Sequence, residues 1–148
     1  MNIVPATRDR LPAWRTMRAH LYTGLDGDFH DREMAFILDS AHTAAFLALV
    51  GTGEPIGLLE LSLRNVVDGC IGGPVGYIEG LWLAPGHRGR GNGRRLVDFA
   101  AAWFREQGCR DMATDALLDE TGAQAFWRRA GFEETWRVVQ FRRPLGDR

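Results

Sequence analysis

Apolar side chains recur at helical spacing early in the chain. Leu11, Trp14, Met17 and Leu21, with polar residues between them, predict a helix from about Thr7 to Tyr22. Gly24 and Gly27 are expected to end it, and a second short helix is expected from Asp31 to Leu38, with Met34, Ile37 and Leu38 inward. The period then changes. Ala44 to Val50 is an uninterrupted apolar run that suits a buried strand, and Gly53-Glu54-Pro55 is a turn signal. From Ile56 to Arg64, Leu59, Leu61 and Leu63 alternate with Glu60, Ser62 and Arg64, which predicts the second strand of a hairpin. Val67 to Pro74 carries three glycines and a proline and is expected to be a loop. Val75 to Leu83 reads as a third strand of the meander, stopped by Ala84-Pro85-Gly86.

The second half alternates. Leu96 to Phe104 is helical, with Leu96, Val97, Ala100 and Phe104 on one face and Gly108 beyond its end. Arg110 to Asp115 is expected to be a short strand, Thr121 to Ala130 a helix closed by Gly131, and Val138 to Arg142 a last strand. An antiparallel meander followed by alternating helices and strands predicts an α/β fold: a mixed central sheet flanked by about four helices, in one domain spanning residues 1–148. Trp14, Phe36, Phe46, Phe99 and Trp103 fall on apolar faces and are expected in the core. Trp127 and Trp136 suit either the core or a dimer surface.

Charge narrows the possible functions. A formal net charge of -1 lacks the basic excess of a general nucleic-acid binder. No apolar run is long enough to span a bilayer, and Met1 to Arg10 has no apolar signal core, so no membrane partner and a cytoplasmic location are expected. Cys70 and Cys109 make neither a disulfide framework nor a metal site, and no metal is expected. The charge is unevenly spread. Asp26, Asp28, Asp31, Glu33 and Asp39 oppose a single Arg32, whereas Arg88, Arg90, Arg94 and Arg95 cluster without an acid. An enzyme joining an anionic cofactor to a cationic substrate could use both patches, although for the acidic one alone solvated surface is the better account.

The sharpest local feature is Arg88-Gly89-Arg90-Gly91-Asn92-Gly93, placed between a strand and a helix. Glycines let backbone N–H groups approach a ligand closely, and the helix that follows adds the positive end of its dipole, which together suit a pyrophosphate. The loop lacks the lysine and hydroxyl residue of a P-loop and the spacing of a dinucleotide fingerprint. Glu79 interrupts the otherwise apolar strand Val75–Leu83, so it either pairs with a cation or serves as a base. Asp115 ends the next strand, where ligands collect in open α/β sheets. Asp119 and Glu120 follow, either as further acids for a cationic substrate or as caps of the helix at Thr121.

Val75 to Gly93, an apolar strand, a proline turn and then Arg88-x-x-Gly91-x-Gly93, resembles the cofactor motif of the GNAT family of N-acetyltransferases. Trp14 and Arg18 in the first helix, and Ala123, Phe126 and Gly131-Phe132 late in the chain, extend the resemblance over nearly all of it. It implies acetyl-CoA as cosubstrate and splayed strands at the cofactor site. The backbone of Leu81, Trp82 and Leu83 would hold the pantetheine arm, and that of Arg88, Gly89, Arg90, Gly91, Asn92 and Gly93 the pyrophosphate. The amine would attack directly, without an acyl-enzyme, and a backbone N–H near Leu83 would stabilise the oxyanion.

Four segments are similar to the aminoglycoside 6'-N-acetyltransferases, small dimeric resistance enzymes: Leu61-Ser62-Leu63-Arg64 before a glycine-rich loop, Tyr77-Ile78-Glu79-Gly80-Leu81-Trp82, Ala113-Thr114-Asp115-Ala116, and Gly131 through Val139. That likeness implies an aminoglycoside acceptor bound by Glu79, Asp115 and Glu134, with Glu79 and Asp115 as the catalytic carboxylates, and a homodimer. Trp127 stands where many members carry a tyrosine, so the likeness assigns no general acid. Two other readings remain: the same chemistry on a polyamine, a protein N-terminus or another metabolite, and a CoA-binding module without catalysis.

Overall fold

A computed structural model describes residues 1–146, which form two compact units divided after Asp115. The first holds a five-stranded sheet in the spatial order of the sequence: β1 (Asn2–Pro5), β2 (Thr43–Val50), β3 (Glu54–Arg64), β4 (Val75–Leu83) and β5 (Met112–Ala113). The first four strands are antiparallel neighbours and β5 joins β4 in parallel. Three helices belong to this unit: α1 (Leu11–Leu21), α2 (Gly27–Asp39) and α3 (Asn92–Glu106). The second unit contains α4 (Thr121–Arg129).

Trp14 and Met17 of α1 and Met34 of α2 pack with Ala45, Leu47, Leu49 and Leu58 of the sheet into one buried cluster. Phe46 makes edge-on ring contacts with Phe99 and Trp103 of α3. Helix packing on β3 explains why its alternation misleads. Ile56 through Leu61 are all buried, Glu60 included, so alternation records which face a residue points to and not whether that face is wet.

The structure corrects five other expectations. Gly27 does not break a helix; it opens α2, because the Asp26 carboxylate accepts the Phe29 N–H at 2.7 Å and caps the helix. Phe36 is 63% exposed and outside the core. The strand Asn2–Pro5 was not foreseen, being short, proline-ended and half-buried. The strand expected at Val138–Arg142 is absent among the described residues: it joins no ladder, and Val138, Val139 and Phe141 are exposed. Nor do Asp119 and Glu120 cap α4 with their side chains. Glu120 occupies the cap position without a side-chain bond, and Gln124 Nε2 instead donates to the carbonyls of Leu117 and Leu118. Among the described residues no helix is long and apolar enough to cross a membrane, and no cluster of metal-ligating side chains occurs.

Candidate active site

Strand β4 has a neighbour on both edges only at its start. β5 pairs with it at Gly76 and Tyr77, and Thr114 Oγ1 then donates to the Ile78 carbonyl at 2.9 Å. Beyond that point no strand lies beside β4 on this edge among the described residues, so the sheet is open from Glu79 to Leu83. A β-bulge sits where it opens: Glu60 pairs with Gly80 and Leu61 with Ile78, which leaves Glu79 as the extra residue.

The bulge changes which backbone groups face the opening. Before it, Gly76 and Ile78 direct their groups toward β5. After it, Ala84 N–H bonds the Ile56 carbonyl of β3, so by alternation Leu83 and Leu81 face the open edge and Trp82 faces β3. Of the three residues expected to offer backbone to a pantetheine arm, Leu81 and Leu83 therefore face the open edge and Trp82 faces β3. The Trp82 indole stacks on His20 at 5.1 Å between ring centroids.

Gly80 is fixed by the approach of α1. A Cβ there would come within 2.4 Å of Leu21 Cδ2 and 2.5 Å of the Tyr22 hydroxyl oxygen. The Tyr22 hydroxyl donates to the Glu79 carbonyl at 3.1 Å, pinning the bulge. Burial raises the Tyr22 pKa well above the usual tyrosine value, and the charge of Glu60 adds to the effect.

A cavity of about 440 Å³ lies against the bulge, lined among others by Arg18, Tyr22, Glu33, Glu60, Ser62 and Glu79. Its floor is a buried polar network. Glu60 Oε2 accepts from Trp14 Nε1 at 2.7 Å and from Arg18 Nε at 2.8 Å, and Arg18 lies 3.2 Å from His30 Nδ1. Glu60 is 2% exposed, so these partners and not water satisfy its carboxylate. Of the acidic patch foreseen between Asp26 and Asp39, only Glu33 reaches the cavity. Asp26 caps α2, Asp31 pairs with Arg15 and Asp39 with Arg8.

Glu79 is held by a cation. Arg64 approaches both its carboxylate oxygens, at 2.6 and 2.9 Å, and Ser62 Oγ donates at 2.8 Å. The Arg64 guanidinium also lies 3.5 Å over the Tyr77 ring, and the Tyr77 hydroxyl donates to Asp115 Oδ2 at 2.5 Å. One connected chain, Glu79–Arg64–Tyr77–Asp115, thus joins the two acids singled out in the sequence. Burial raises the Tyr77 pKa above its usual value, reinforced by the bond to Asp115, so this phenol keeps its proton and is poorly matched to protonating a thiolate. Glu134 lies in the second unit between Arg137 and Arg128, and their hydrogen bonds lower its pKa.

The glycine loop leads from β4 into α3. Gly89 and Gly91 adopt positive φ, +71° and +81°, and Gly91 caps α3 with no side-chain bond. Arg88 Nε donates to the Leu83 carbonyl at 2.8 Å and Asn92 Nδ2 to the His87 carbonyl at 3.0 Å. These two side chains thus brace the loop, which leaves anion binding to its backbone and the start of the helix. A Cβ on Gly89 or Gly91 would meet nothing within 4 Å, so open space lies in front of both.

Residue-type reasoning passed over Arg64, Tyr22 and the buried role of Glu60. The available signals were the i, i+4 spacing of Trp14 and Arg18, which sets both donors on one helix face, and the two-residue spacing of Ser62 and Arg64, which puts both on one strand face.

The acetyltransferase (GNAT) family profile matches residues 11–132, and the chain belongs to this family. Among its relatives, an aminoglycoside N(6')-acetyltransferase type 1 of Stenotrophomonas maltophilia is 41% identical over 144 residues, covering 95% of this chain and 94% of that one. The protein of the same name from Salmonella typhimurium is 35% identical, covering 97% and 99%. The apo crystal structure of the aminoglycoside 6'-N-acetyltransferase of Acinetobacter haemolyticus superposes with a TM-score of 0.91 at 33% identity, over 99% of this chain and 100% of that one. The structure of AAC(6')-Iy with the bisubstrate analogue CoA-S-monomethyl-acetylneamine gives 0.90 at 34% identity, over 97% of each chain.

Proposed function

We propose that this protein transfers the acetyl group of acetyl-CoA to the 6'-amino group of aminoglycosides, by direct attack of the amine on the thioester. One observation carries the reading. β4 loses its neighbour where the Glu79 bulge turns the backbone of Leu81 and Leu83 outward, and the acid-lined cavity adjoins that bulge. The aminoglycoside acceptor is supported by the activity for which the relatives are named and by the bisubstrate analogue bound to AAC(6')-Iy.

In this reading the backbone of Leu81 and Leu83 holds the pantetheine arm, and the loop from Arg88 to Gly93 receives the pyrophosphate. Glu79 and Asp115 bind ammonium groups of the acceptor, and Glu79 takes the proton that the attacking amine must lose. The acceptor nitrogen bonds to the carbonyl carbon, the C–S bond breaks and the sulfur leaves as thiolate. Leu83 N–H faces the developing oxyanion, a contact worth about 3 kcal/mol. No side chain is assigned to protonate the thiolate, and solvent serves.

Glu134 contacts the acceptor by exchanging its arginines. The two units act as one catalytic domain, supported by a family match that crosses the boundary at Asp115. The enzyme works in the cytoplasm, where the free thiols of Cys70 and Cys109 are at home. It works as a homodimer, supported by the exposed apolar side chains of the C-terminal arm.

The deciding experiment measures thiol release from acetyl-CoA against a panel of aminoglycosides, spermidine and peptides. Turnover with several aminoglycosides and with neither of the others is the expected result. Turnover with spermidine or peptides alone, or with nothing, overturns the proposal.

A further inference from the structure

Two glutamates that line the cavity, Glu60 and Glu79, are each paired with an arginine, and the two pairs differ in kind. Arg18 and Glu60 have side chains only 5% and 2% exposed and are tied to Trp14 and His30, so nothing entering the cavity can replace either partner. Arg64 and Glu79 are 42% and 34% exposed. Arg64 is the last residue of β3, before the long loop to Val75, so its side chain can swing away without disturbing the sheet.

We propose that Arg64 is the resident cation of the acceptor site. It occupies Glu79 as a substrate ammonium group would, and an acceptor binds there only by displacing it. This rests on the acceptor role of Glu79 proposed above. The guanidinium fork takes both carboxylate oxygens, and its plane covers the Tyr77 ring, a second surface that attracts cations. The same chain ends on Asp115 through the Tyr77 hydroxyl, so release of Arg64 uncovers Glu79 and the Tyr77 face together.

The consequence is selection by charge. An acceptor with one ammonium group exchanges one ion pair for another and forfeits the bidentate, stacked geometry, so it gains little. A polycation brings further ammonium groups to acids such as Glu33 and tips the exchange. Arg64 is thus a specificity-determining residue that acts by competition.

The test titrates neamine into the full protein with CoA bound, by calorimetry, for wild type, Arg64→Met, Arg64→Lys and Glu79→Gln. Arg64→Met should bind neamine roughly three- to tenfold more tightly, with KM lowered to match, because it removes the competitor. Arg64→Lys, which keeps the charge without the fork, should fall between the two. Glu79→Gln should weaken binding, and the gain from Arg64→Met should vanish in the double variant. Unchanged or weaker neamine binding by Arg64→Met and Arg64→Lys, with Glu79→Gln still weakened, overturns the competition but leaves Glu79 as an acceptor contact. Wild-type affinity in Glu79→Gln overturns both.

Discussion

Glu60 is a buried carboxylate flanked in its strand by Leu59 and Leu61, and two donors from one helix satisfy it. Trp14 and Arg18 stand four residues apart on α1 and both bond Oε2. Removing one charge from such a buried pair leaves the other uncompensated. Glu60→Gln should therefore destabilise the protein by about 3 kcal/mol in urea denaturation, with Glu33, 3.9 Å from Arg18, offsetting only part of the loss. A shift under about 0.5 kcal/mol would mean that the network is satisfied by water. The two tyrosines give a second check at this scale. Both have pKa values raised chiefly by burial, so the folded protein holds protons that an unfolded chain gives up near pH 10. Their contribution to stability is complete below about pH 10 and is lost as pH climbs from there toward the raised folded values. Ultraviolet titration of the native protein should show almost no tyrosinate at pH 10, and half-ionisation of either residue there would contradict the burial.

At the scale of elements, β4 was legible to its end residues, because an apolar run between a glycine-proline loop and a proline turn leaves little freedom. Its bulge was not. Nothing in the types of Ile78, Glu79 and Gly80 says that one of them is extra; that follows from Leu21 and Tyr22 of α1 pressing on Gly80. Glu79 was read as a base or a paired acid, and it is found paired, with an arginine that alternation had placed on the adjacent strand. The glycine loop is the reverse case, where residue type fixed the conformation. Gly91 sits at φ +81° with open space before it, so a side chain there would suffer from backbone strain and from filling the phosphate approach, not from collision within the protein. Gly91→Val should cost stability by about 1–2 kcal/mol and weaken acetyl-CoA binding at least about tenfold by calorimetry. Gly86→Val, at an equally open glycine without positive φ, should bind acetyl-CoA as wild type does. Equal loss in both would remove the loop from cofactor binding.

The C-terminal arm is where reading from sequence stopped short of the whole molecule. Its residues carry strand-forming side chains, yet from Phe132 to Leu145 no helix or ladder forms, and Phe141 and Leu145 are 92% and 100% exposed. Hydrophobic pattern states what a segment wants to bury, not which chain supplies the cover. A run with this much apolar surface in solution is unusual for a lone monomer, and Trp136, Val138, Val139 and Phe141 offer large side chains to a partner. The proposed homodimer uses this surface. Phe141→Asp together with Val139→Asp should then convert a dimer to a monomer by analytical ultracentrifugation, while the sheet of residues 1–115 keeps its circular dichroism. Because Glu134 and Arg137 lie in the arm, the monomer should also bind neamine less well, yet bind acetyl-CoA through the loop at Gly91 as before. A wild-type protein that sediments as a monomer at micromolar concentration, or a double variant that stays dimeric, would detach the arm from assembly and leave its apolar side chains without a role.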